Sequence, residues 1–306
     1  MSYMLLTKVR NRVLRQVLRF PPVRNRSDRA YQADLARHKT RLPPLGDFES
    51  TLATKLNETG VVVTSLDALA GPGGRTILRA AQEVAKTSLT ASVNKIGFVA
   101  HAPTDEMARV PEIYRWGMEQ PLGIVEHGLG LPVAYHGVYL RRDLANTVVS
   151  NSRLWHRDTE DRRILKIIIY LNDVGEDGGA FQYLSRSLTT RISAGFHGRY
   201  GFYSDEQVSR VTSPAVLDQI QTCTGPAGTV VIADTAGTYH RGRLPEKEDR
   251  LALFYDYTSR NPLHSFLCKS AFTPAQEQAL TAGLSEVQRA CVFWRPDGLH
   301  HKADVF

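Results

Sequence analysis

Five short segments rich in β-branched and aromatic residues follow Pro132, and they constrain the fold more than any other feature of the chain. They read VAYHGVYL, ILKIIIYLNDV, AFQYLS, TVVIAD and RLALFYDYTS, with turn-rich links between them. Such segments are typical of β-strands. Before them, residues 60–66 predict a strand and residues 75–89 an amphipathic helix after the GPGG breaker. Helices first and many strands later predict one α+β domain built around a β-sandwich or jelly-roll barrel.

The composition is that of an ordinary globular protein, with 42% hydrophobic and 23% charged residues in a chain of 306. Cys223, Cys268 and Cys291 are far apart and form no C-x-x-C pair, which favours reduced thiols in an intracellular protein over a disulfide scaffold. No apolar run approaches the roughly 20 residues of a membrane span. Arginines interrupt the N-terminal apolar residues, which disfavours a secretory signal. We therefore expect a cytoplasmic protein.

Positive charge is concentrated at the N-terminus. The whole chain has a net charge of +7, but residues 1–45 carry eleven Lys/Arg and two Asp, a net of +9. The other residues then hold 27 bases and 29 acids, a net of −2. Because the main domain has no excess of basic residues to neutralise phosphates, we do not expect it to bind nucleic acid.

Residues 1–45 also show a helical pattern of apolar residues, with basic residues falling largely elsewhere around the helix. The apolar set is Leu6, Val9, Val13, Val17 and Phe20, and the basic set is Lys8, Arg12, Arg15 and Arg19. This predicts a helix on an anionic membrane surface, so that the protein would be peripheral to a membrane, or on an acidic partner. The alternative is a helix packed on the body, or a tail.

The predicted boundaries follow from prolines and capping residues. Pro21, Pro22, Pro43 and Pro44 predict an irregular link, so residues 1–45 form a basic amphipathic segment and linker and residues 46–306 the main domain. Near the end, Thr273, Pro274 and Gln276 predict the start of a C-terminal helix, with a capping hydroxyl, proline at the first helical position and glutamine at the third.

The segment LWHRD at residues 154–158 contains the one histidine in the sequence with an acid two places on. In extended chain, His156 and Asp158 project to the same side, so both can reach one metal ion. Candidates for a third ligand are His197, His240, His264, His300 and His301. His240 is favoured because it follows a turn, a strand and another short turn, where a barrel can bring it beside an earlier strand. Two histidines and one carboxylate form the facial triad of non-haem Fe(II) oxygenases, although zinc is also compatible with these ligands.

Arg250 lies ten residues after His240, at the start of the strand RLALFYDYTS. An enzyme that uses 2-oxoglutarate must hold the far carboxylate of that cosubstrate, and the planar guanidinium of arginine does so with two parallel hydrogen bonds. The alternative is a surface arginine paired with Asp249 or Glu248.

The stretch WHRD, then IIIYLNDVGEDGGAFQYLSRS, then GTVVIADTAGTYHRGRLPEKEDRLALFYDY resembles the phytanoyl-CoA dioxygenase-like family of Fe(II)/2-oxoglutarate oxygenases. The resemblance covers about residues 130–260. It implies a double-stranded β-helix (jelly-roll) core with flanking helices, iron bound by His156, Asp158 and His240, and 2-oxoglutarate bound by Arg250, with Tyr170 lining the cosubstrate pocket. It also implies consumption of O₂, formation of succinate and CO₂, and hydroxylation of a small-molecule or lipid-related substrate at an unactivated C–H bond.

The sequence departs from the family pattern at two places. Arg157 stands where the family usually has glutamine, and Ser185-Arg186-Ser187-Leu188 stands where a P-G-S-H turn is common. Arg157 either contacts an anionic group of the substrate or points to solvent.

Halogenating relatives lack the carboxylate that Asp158 supplies, so hydroxylation, desaturation or cyclisation is expected. The rival interpretations are a metal-dependent jelly-roll hydrolase or isomerase, and a non-catalytic membrane-associated binding protein.

Overall fold

A computed structural model of the chain describes residues 11–295, apart from residues 12, 15, 19, 90–93 and 95. The described helices are α1 (Pro21–His38), α2 (Asp47–Thr59), α3 (Leu66–Ala70), α4 (Pro72–Ser88), α5 (Thr104–Ala108), α6 (Pro111–Trp116), α7 (Leu122–Leu129), α8 (Arg186–Gly195), α9 (Asp205–Val211), α10 (Pro274–Leu280) and α11 (Glu286–Val292). The strands are β1 (Val61–Ser65), β2 (Val99–His101), β3 (Val133–Asp143), β4 (Leu165–Tyr170), β5 (Phe181–Tyr183), β6 (Gln221–Cys223), β7 (Thr229–Asp234), β8 (His240–Gly242) and β9 (Arg250–Ser259). Short 3₁₀ turns lie at Lys39–Arg41, Asn151–Arg153 and Pro214–Gln219.

The strands form two antiparallel sheets, a six-stranded one in the order β1-β7-β4-β9-β3-β2 and a three-stranded one in the order β6-β5-β8. Each predicted strand of the C-terminal half is present, as are the strand at 61–65 and helix α4. The α+β class is therefore confirmed. Thr273 caps α10 through a capping box with Gln276, and Pro274 occupies the first turn, as predicted.

The large sheet has two faces with different partners, because side chains alternate along each strand. On its outer face, residues such as Ile167, Ile232 and Leu253 pack in one buried cluster with helical residues such as Leu56 and Ile77. On its inner face, a second buried cluster joins Ile168, Tyr170, Val231 and Phe254 to residues of the small sheet, Phe181 and Cys223. The space between the two sheets is thus the inner side of the β-structure, and the chemically interesting side chains lie there.

The irregular link predicted at the N-terminus is wrong for residues 21–38, which form α1 with proline in its first turn. Proline is well tolerated there, because the first N–H groups of a helix have no partner within the helix. Helix α1 contacts the body: the Arg162 guanidinium lies 2.7 Å from Asp28 and stacks 4.8 Å from the Tyr31 ring. His38 Nε2 lies 2.7 Å from Glu126.

The amphipathic segment ahead of α1 falls partly outside the described residues. Where residues 11–18 are described they are helical, and Val13, Val17 and Phe20 are 54%, 49% and 60% exposed. The predicted apolar set therefore faces away from the body at these three positions. No helix within the described ranges is both long and apolar enough to cross a bilayer.

Candidate metal centre

His156, Asp158 and His240 come together through backbone pairing. His156 and His240 exchange both hydrogen bonds of an antiparallel bridge, with N–O distances of 3.1 and 3.0 Å. Two residues on, the N–H of Asp158 donates to the carbonyl of Thr235 just after β7, at 3.0 Å. One ligand atom from each of the three residues lies within 4.8 Å of the other two. The structure thus brings together the three residues that the sequence predicted as metal ligands.

Backbone carbonyls fix the orientation of both imidazole rings. His156 Nδ1 lies 2.8 Å from the Leu154 carbonyl, and His240 Nδ1 lies 3.1 Å from the Thr238 carbonyl. Because a carbonyl only accepts, each Nδ1 donates a proton and each neutral Nε2 keeps a free lone pair. Burial keeps the rings neutral: it lowers the pKa of His156, and burial together with the nearby His156 lowers the pKa of His240 to about 3.

The Asp158 carboxylate is ionised and incompletely satisfied. Burial alone would raise its pKa, but the nearby Lys166 ammonium lowers it well below the usual value. Its Oδ2 lies 4.0 Å from His240 Nε2 and 3.0 Å from Lys166 Nζ. The Lys166 contact is an ion pair without hydrogen-bond geometry, so this buried oxygen accepts no hydrogen bond from the described residues. An anionic oxygen beside two free Nε2 atoms fits a divalent cation.

Other histidines considered as ligands lie elsewhere. Among the described residues, the one His/Cys/Asp/Glu group with the spacing of a metal site is the His156–Asp158–His240 set. His264 directs Nδ1 at the Thr159 carbonyl, and His197 lies in the turn after α8. His300 and His301 fall outside the described residues.

Arg250 is buried and faces an acid that the sequence analysis did not identify. Its Nη2 lies 2.8 Å from Asp143 Oδ2, and its Nη1 donates to the Gly179 carbonyl at 2.6 Å. Its Nε finds no hydrogen-bond acceptor within the described residues. The alternative of a surface arginine paired with Asp249 or Glu248 is wrong, because Arg250 is only 3% exposed.

A second arginine shares the same carboxylate. Arg141 Nε lies 3.0 Å from both oxygens of Asp143, while Asp249 pairs with Arg142 instead. Burial alone would raise the pKa of Asp143, but the guanidinium groups of Arg141 and Arg250 lower it to about 2. The Asp143 carboxylate is therefore ionised at neutral pH, with two cations around it.

Tyr170 is fully buried on the inner face of the large sheet. Its hydroxyl donates to the Cys223 carbonyl at 2.7 Å and accepts from the Phe181 N–H at 3.0 Å. Burial raises the pKa of the phenol to about 12. The Phe181 ring in turn stacks on His240, with centroids 5.5 Å apart. Tyr170 therefore joins the two sheets next to a predicted metal ligand.

The two departures from the family pattern have local structural roles. The Arg157 guanidinium lies over the rings of Tyr200 and Tyr239, at 5.1 and 5.5 Å, and donates to the Ala236 carbonyl. It is thus packed among aromatic residues and does not simply point to solvent. Ser185 caps α8, and Arg186 lies 2.8 Å from Asp234.

The sequence analysis missed Lys166 and Asp256, which lie opposite one another in the β4–β9 register. Lys166 Nζ is 3.0 Å from Asp158 and 3.8 Å from Asp256 Oδ1. The sequence contained part of the signal. Lys166 is the single charge in ILKIIIY, and in a strand it lies on the same face as Ile168 and Tyr170. An unexpected charge in an otherwise apolar strand is a good marker of a polar site between two sheets.

Comparison with known proteins gives a fold but no family model. No family model matches the chain, and no curated protein matches it. Among solved structures, the non-haem α-ketoglutarate-dependent carbocyclase SnoK from nogalamycin biosynthesis aligns with a TM-score of 0.50 and 17% identity, over 71% of this chain and 85% of SnoK. EctD from S. alaskensis in its apo form aligns with a TM-score of 0.50 and 17% identity, over 71% of this chain and 80% of EctD.

A further structure of EctD, with the same TM-score of 0.50, contains 2-oxoglutarate and 5-hydroxyectoine. SnoK is thus described as dependent on α-ketoglutarate, and EctD is solved with the same molecule bound, the cosubstrate that the sequence resemblance indicates. At identities near 17%, the likeness establishes a shared fold, and the chemistry of this chain has to be argued from its own residues.

Proposed function

We propose that this protein is an Fe(II)- and 2-oxoglutarate-dependent dioxygenase, and that His156, Asp158 and His240 hold the metal. The observation that carries the proposal is the convergence of two free Nε2 atoms on a buried carboxylate oxygen that accepts no hydrogen bond from the described residues. Three protein ligands on one side leave positions open for a chelating cosubstrate and O₂. When bound, Fe(II) supplies the activation of O₂ that couples formation of succinate and CO₂ to oxidation of a C–H bond.

The two sheets are proposed to be the halves of a double-stranded β-helix. The inner cluster joins them, and the His156–His240 bridge links β8 of the small sheet to the segment that precedes β4 of the large one. In such a barrel the ligands lie at one open end, where the backbone pairing of both sheets fixes them before any metal arrives.

Arg250 is proposed to hold the far carboxylate of 2-oxoglutarate, with Tyr170 lining that part of the pocket. The Arg250 Nε has no acceptor in the described part of the chain, and its two Nη atoms are not paired with one carboxylate. Arg250 can therefore donate hydrogen bonds to a further anionic partner. Because a side chain on Gly242 would come within 3.2 Å of Arg250 Nη2, the glycine keeps the space next to the guanidinium clear.

The substrate is proposed to be a small or lipid-related molecule, with hydroxylation as the outcome. Asp158 occupies the position that a halide would need, which argues against halogenation. The fold also serves a carbocyclase, SnoK, so cyclisation is the second outcome to test. A hydrolase or isomerase at the same site would need no 2-oxoglutarate and would leave the Arg250 pocket without a role.

Anaerobic addition of Fe(II) and 2-oxoglutarate tests the proposal without knowledge of the substrate. We expect a weak visible charge-transfer band that requires both components, is absent in His240→Ala and persists in Glu176→Ala. Glu176 is an exposed carboxylate and therefore a matched control for handling and metal contamination. Absence of the band in the wild-type protein, despite bound metal, would favour the hydrolase or isomerase; absence of metal binding would favour the binding protein.

We also propose that residues 1–45 hold the protein at an anionic membrane surface. Val13, Val17 and Phe20 are exposed on a segment of net charge +9. Each basic residue near an anionic bilayer contributes on the order of 1 kcal/mol. The triple change Val13→Ser, Val17→Ser and Phe20→Ser spares the α1 contacts with the body. It should reduce co-sedimentation with phosphatidylserine vesicles while leaving metal binding unchanged; equal sedimentation would leave only the packed helix or tail.

A further inference from the structure

Lys166 occupies an unusual place, because its ammonium lies between two carboxylates that each have one buried oxygen without a hydrogen-bond partner in the described residues. Nζ is 3.0 Å from Asp158 Oδ2 and 3.8 Å from Asp256 Oδ1. Neither oxygen accepts a hydrogen bond from the described residues, and both are shielded from solvent. One cation therefore serves two anions at the inner end of β4 and β9.

The oxygen nearest Lys166 is also the one that faces the metal ligands. Asp158 Oδ2, and not a remote atom of the same carboxylate, lies 4.0 Å from His240 Nε2. A divalent cation bound by that oxygen would be a near neighbour of the ammonium, which lies 3.0 Å from the same oxygen. Two positive charges so close together repel strongly in a partly buried site. The ammonium and the metal therefore compete for the same oxygen.

The strand register places a second carboxylate, that of Asp256, within reach of the ammonium. Lys166 and Asp256 are direct partners across β4 and β9, so their backbones are fixed relative to one another. A small rotation of the flexible lysine side chain, away from Asp158, brings Nζ towards Asp256 Oδ1. After the move, each of the two cations has a carboxylate beside it.

We infer that Lys166 is a built-in counter-cation for Asp158, which an incoming metal displaces towards Asp256. This rests on the proposed metal site and deepens it: Lys166 sets how tightly the site holds a metal, and it keeps the ligand carboxylate compensated when no metal is bound. Lys166 is therefore a positioning residue, acting through Asp158, with Asp256 as the acceptor of its second position.

Co(II) binding tests this directly, by titration calorimetry and by the visible d–d bands of the bound ion. Lys166→Met removes the charge at similar length and should tighten Co(II) binding by about tenfold or more. Lys166→Arg keeps the charge and should bind close to the wild-type value. Lys86→Met is the control, because Lys86 lies on the surface of α4 with 73% of its side chain exposed. Near-UV circular dichroism verifies the fold, and Lys166→Gln replaces the methionine variant if that does not fold.

Asp256→Asn tests the second position with the opposite sign. Without its acceptor the ammonium stays on Asp158, so Co(II) binding should weaken several-fold. In the Lys166→Met background the same change should have almost no effect, because it acts through the lysine. Equal weakening in both backgrounds would refute the role of Asp256. Unchanged or weaker binding in Lys166→Met would refute the competition. Failure of the wild-type protein to bind Co(II) would instead refute the proposed metal site.

Discussion

Two polar centres lie between the sheets, and they are built on opposite principles. The metal end, named for the proposed site, comprises His156, Asp158, Lys166 and His240, and its Asp158 Oδ2 accepts no hydrogen bond within the described part of the chain. The arginine end comprises Arg141, Asp143 and Arg250, where one buried carboxylate contacts two guanidinium groups. The two ends are close neighbours: Gly242 is two residues after His240 on β8, and a side chain there would come within 3.2 Å of Arg250 Nη2.

The difference shows what each end needs in order to work. The metal end has excess acceptor capacity and fits a cation, so binding requires little more than the shift of one lysine. The arginine end already contains an ion pair, so a second anion has to share Arg250 with Asp143. We therefore expect the metal to bind independently and the cosubstrate to depend strongly on the exact donors around Asp143.

The largest effect is expected at the metal end, for Asp158→Ala. The carboxylate is one of the three proposed ligands and the one among them that would offset the charge of the metal, so its loss should abolish metal binding and succinate formation at limiting iron. Calorimetry with Co(II) and a succinate assay measure the two consequences. Wild-type succinate production by Asp158→Ala at limiting iron would show that the triad is misassigned.

The second effect concerns the arginine end alone. Truncating one partner of a buried charge pair costs roughly 2–5 kcal/mol, or about 30-fold to several thousand-fold in affinity. Arg250→Ala should raise the 2-oxoglutarate requirement by that factor and leave Co(II) binding nearly unchanged. Arg250→Lys should recover only part of the loss, because a point charge cannot reproduce two parallel hydrogen bonds.

Arg243 is the matched control for Arg250. It is partly exposed and pairs with Asp177 and Glu246 on the surface. Arg243→Ala should therefore leave the 2-oxoglutarate requirement as it is. If Arg243→Ala raised the requirement while Arg250→Ala did not, the anchor would be misassigned. If neither change raised the 2-oxoglutarate requirement, the assignment of the cosubstrate to the arginine end would be wrong.

The sequence predicts the metal end better than the arginine end, for a physical reason. His156 and Asp158 are two residues apart, and extended chain alone places both side chains on one side. The acid that faces Arg250, by contrast, is Asp143, which lies 107 residues earlier and is brought close by the β3–β9 register. The strand sequences do not specify that register. The charge of Lys166 was visible, but the side of the sheet that it faces depends on the tertiary packing.

The N-terminal helix also shows that local sequence signals do not always specify the structure that forms. The prolines at 21 and 22 predicted an irregular link, yet they occupy the first turn of α1, where a missing N–H costs nothing. The capping box at Thr273 was predicted correctly because every group that forms it lies within four residues.

The third effect, on stability, concerns the tyrosine between the two ends. Tyr170→Phe keeps the ring but removes the hydroxyl that joins the Cys223 carbonyl and the Phe181 N–H. Two buried backbone groups lose their partner, which should lower the free energy of unfolding by roughly 3 kcal/mol. Urea unfolding measures this. Co(II) affinity should change little, and a large loss of it would show that Phe181 transmits the change to His240 and that the two ends are coupled.

The smallest effect is the acid sensitivity of the arginine end. The pKa of Asp143 in the folded protein is about 2, below the ordinary 3.8. A group whose pKa is lowered by folding stabilises the folded state above its unfolded pKa and loses that contribution as the pH falls through the folded pKa. The contribution should therefore be complete above about pH 4 and decline towards pH 2, by roughly 2 kcal/mol in total.

The Asn side chain in Asp143→Asn cannot titrate. Between pH 5 and pH 2, this variant should therefore lose about 2 kcal/mol less unfolding free energy than the wild-type protein does. Arg141→Gln keeps one of the two guanidinium groups and should show an intermediate loss of unfolding free energy. Parallel curves for the wild-type protein and Asp143→Asn would mean that Asp143 is not held by the two arginines, and the contrast between a compensated end and an open one would fail.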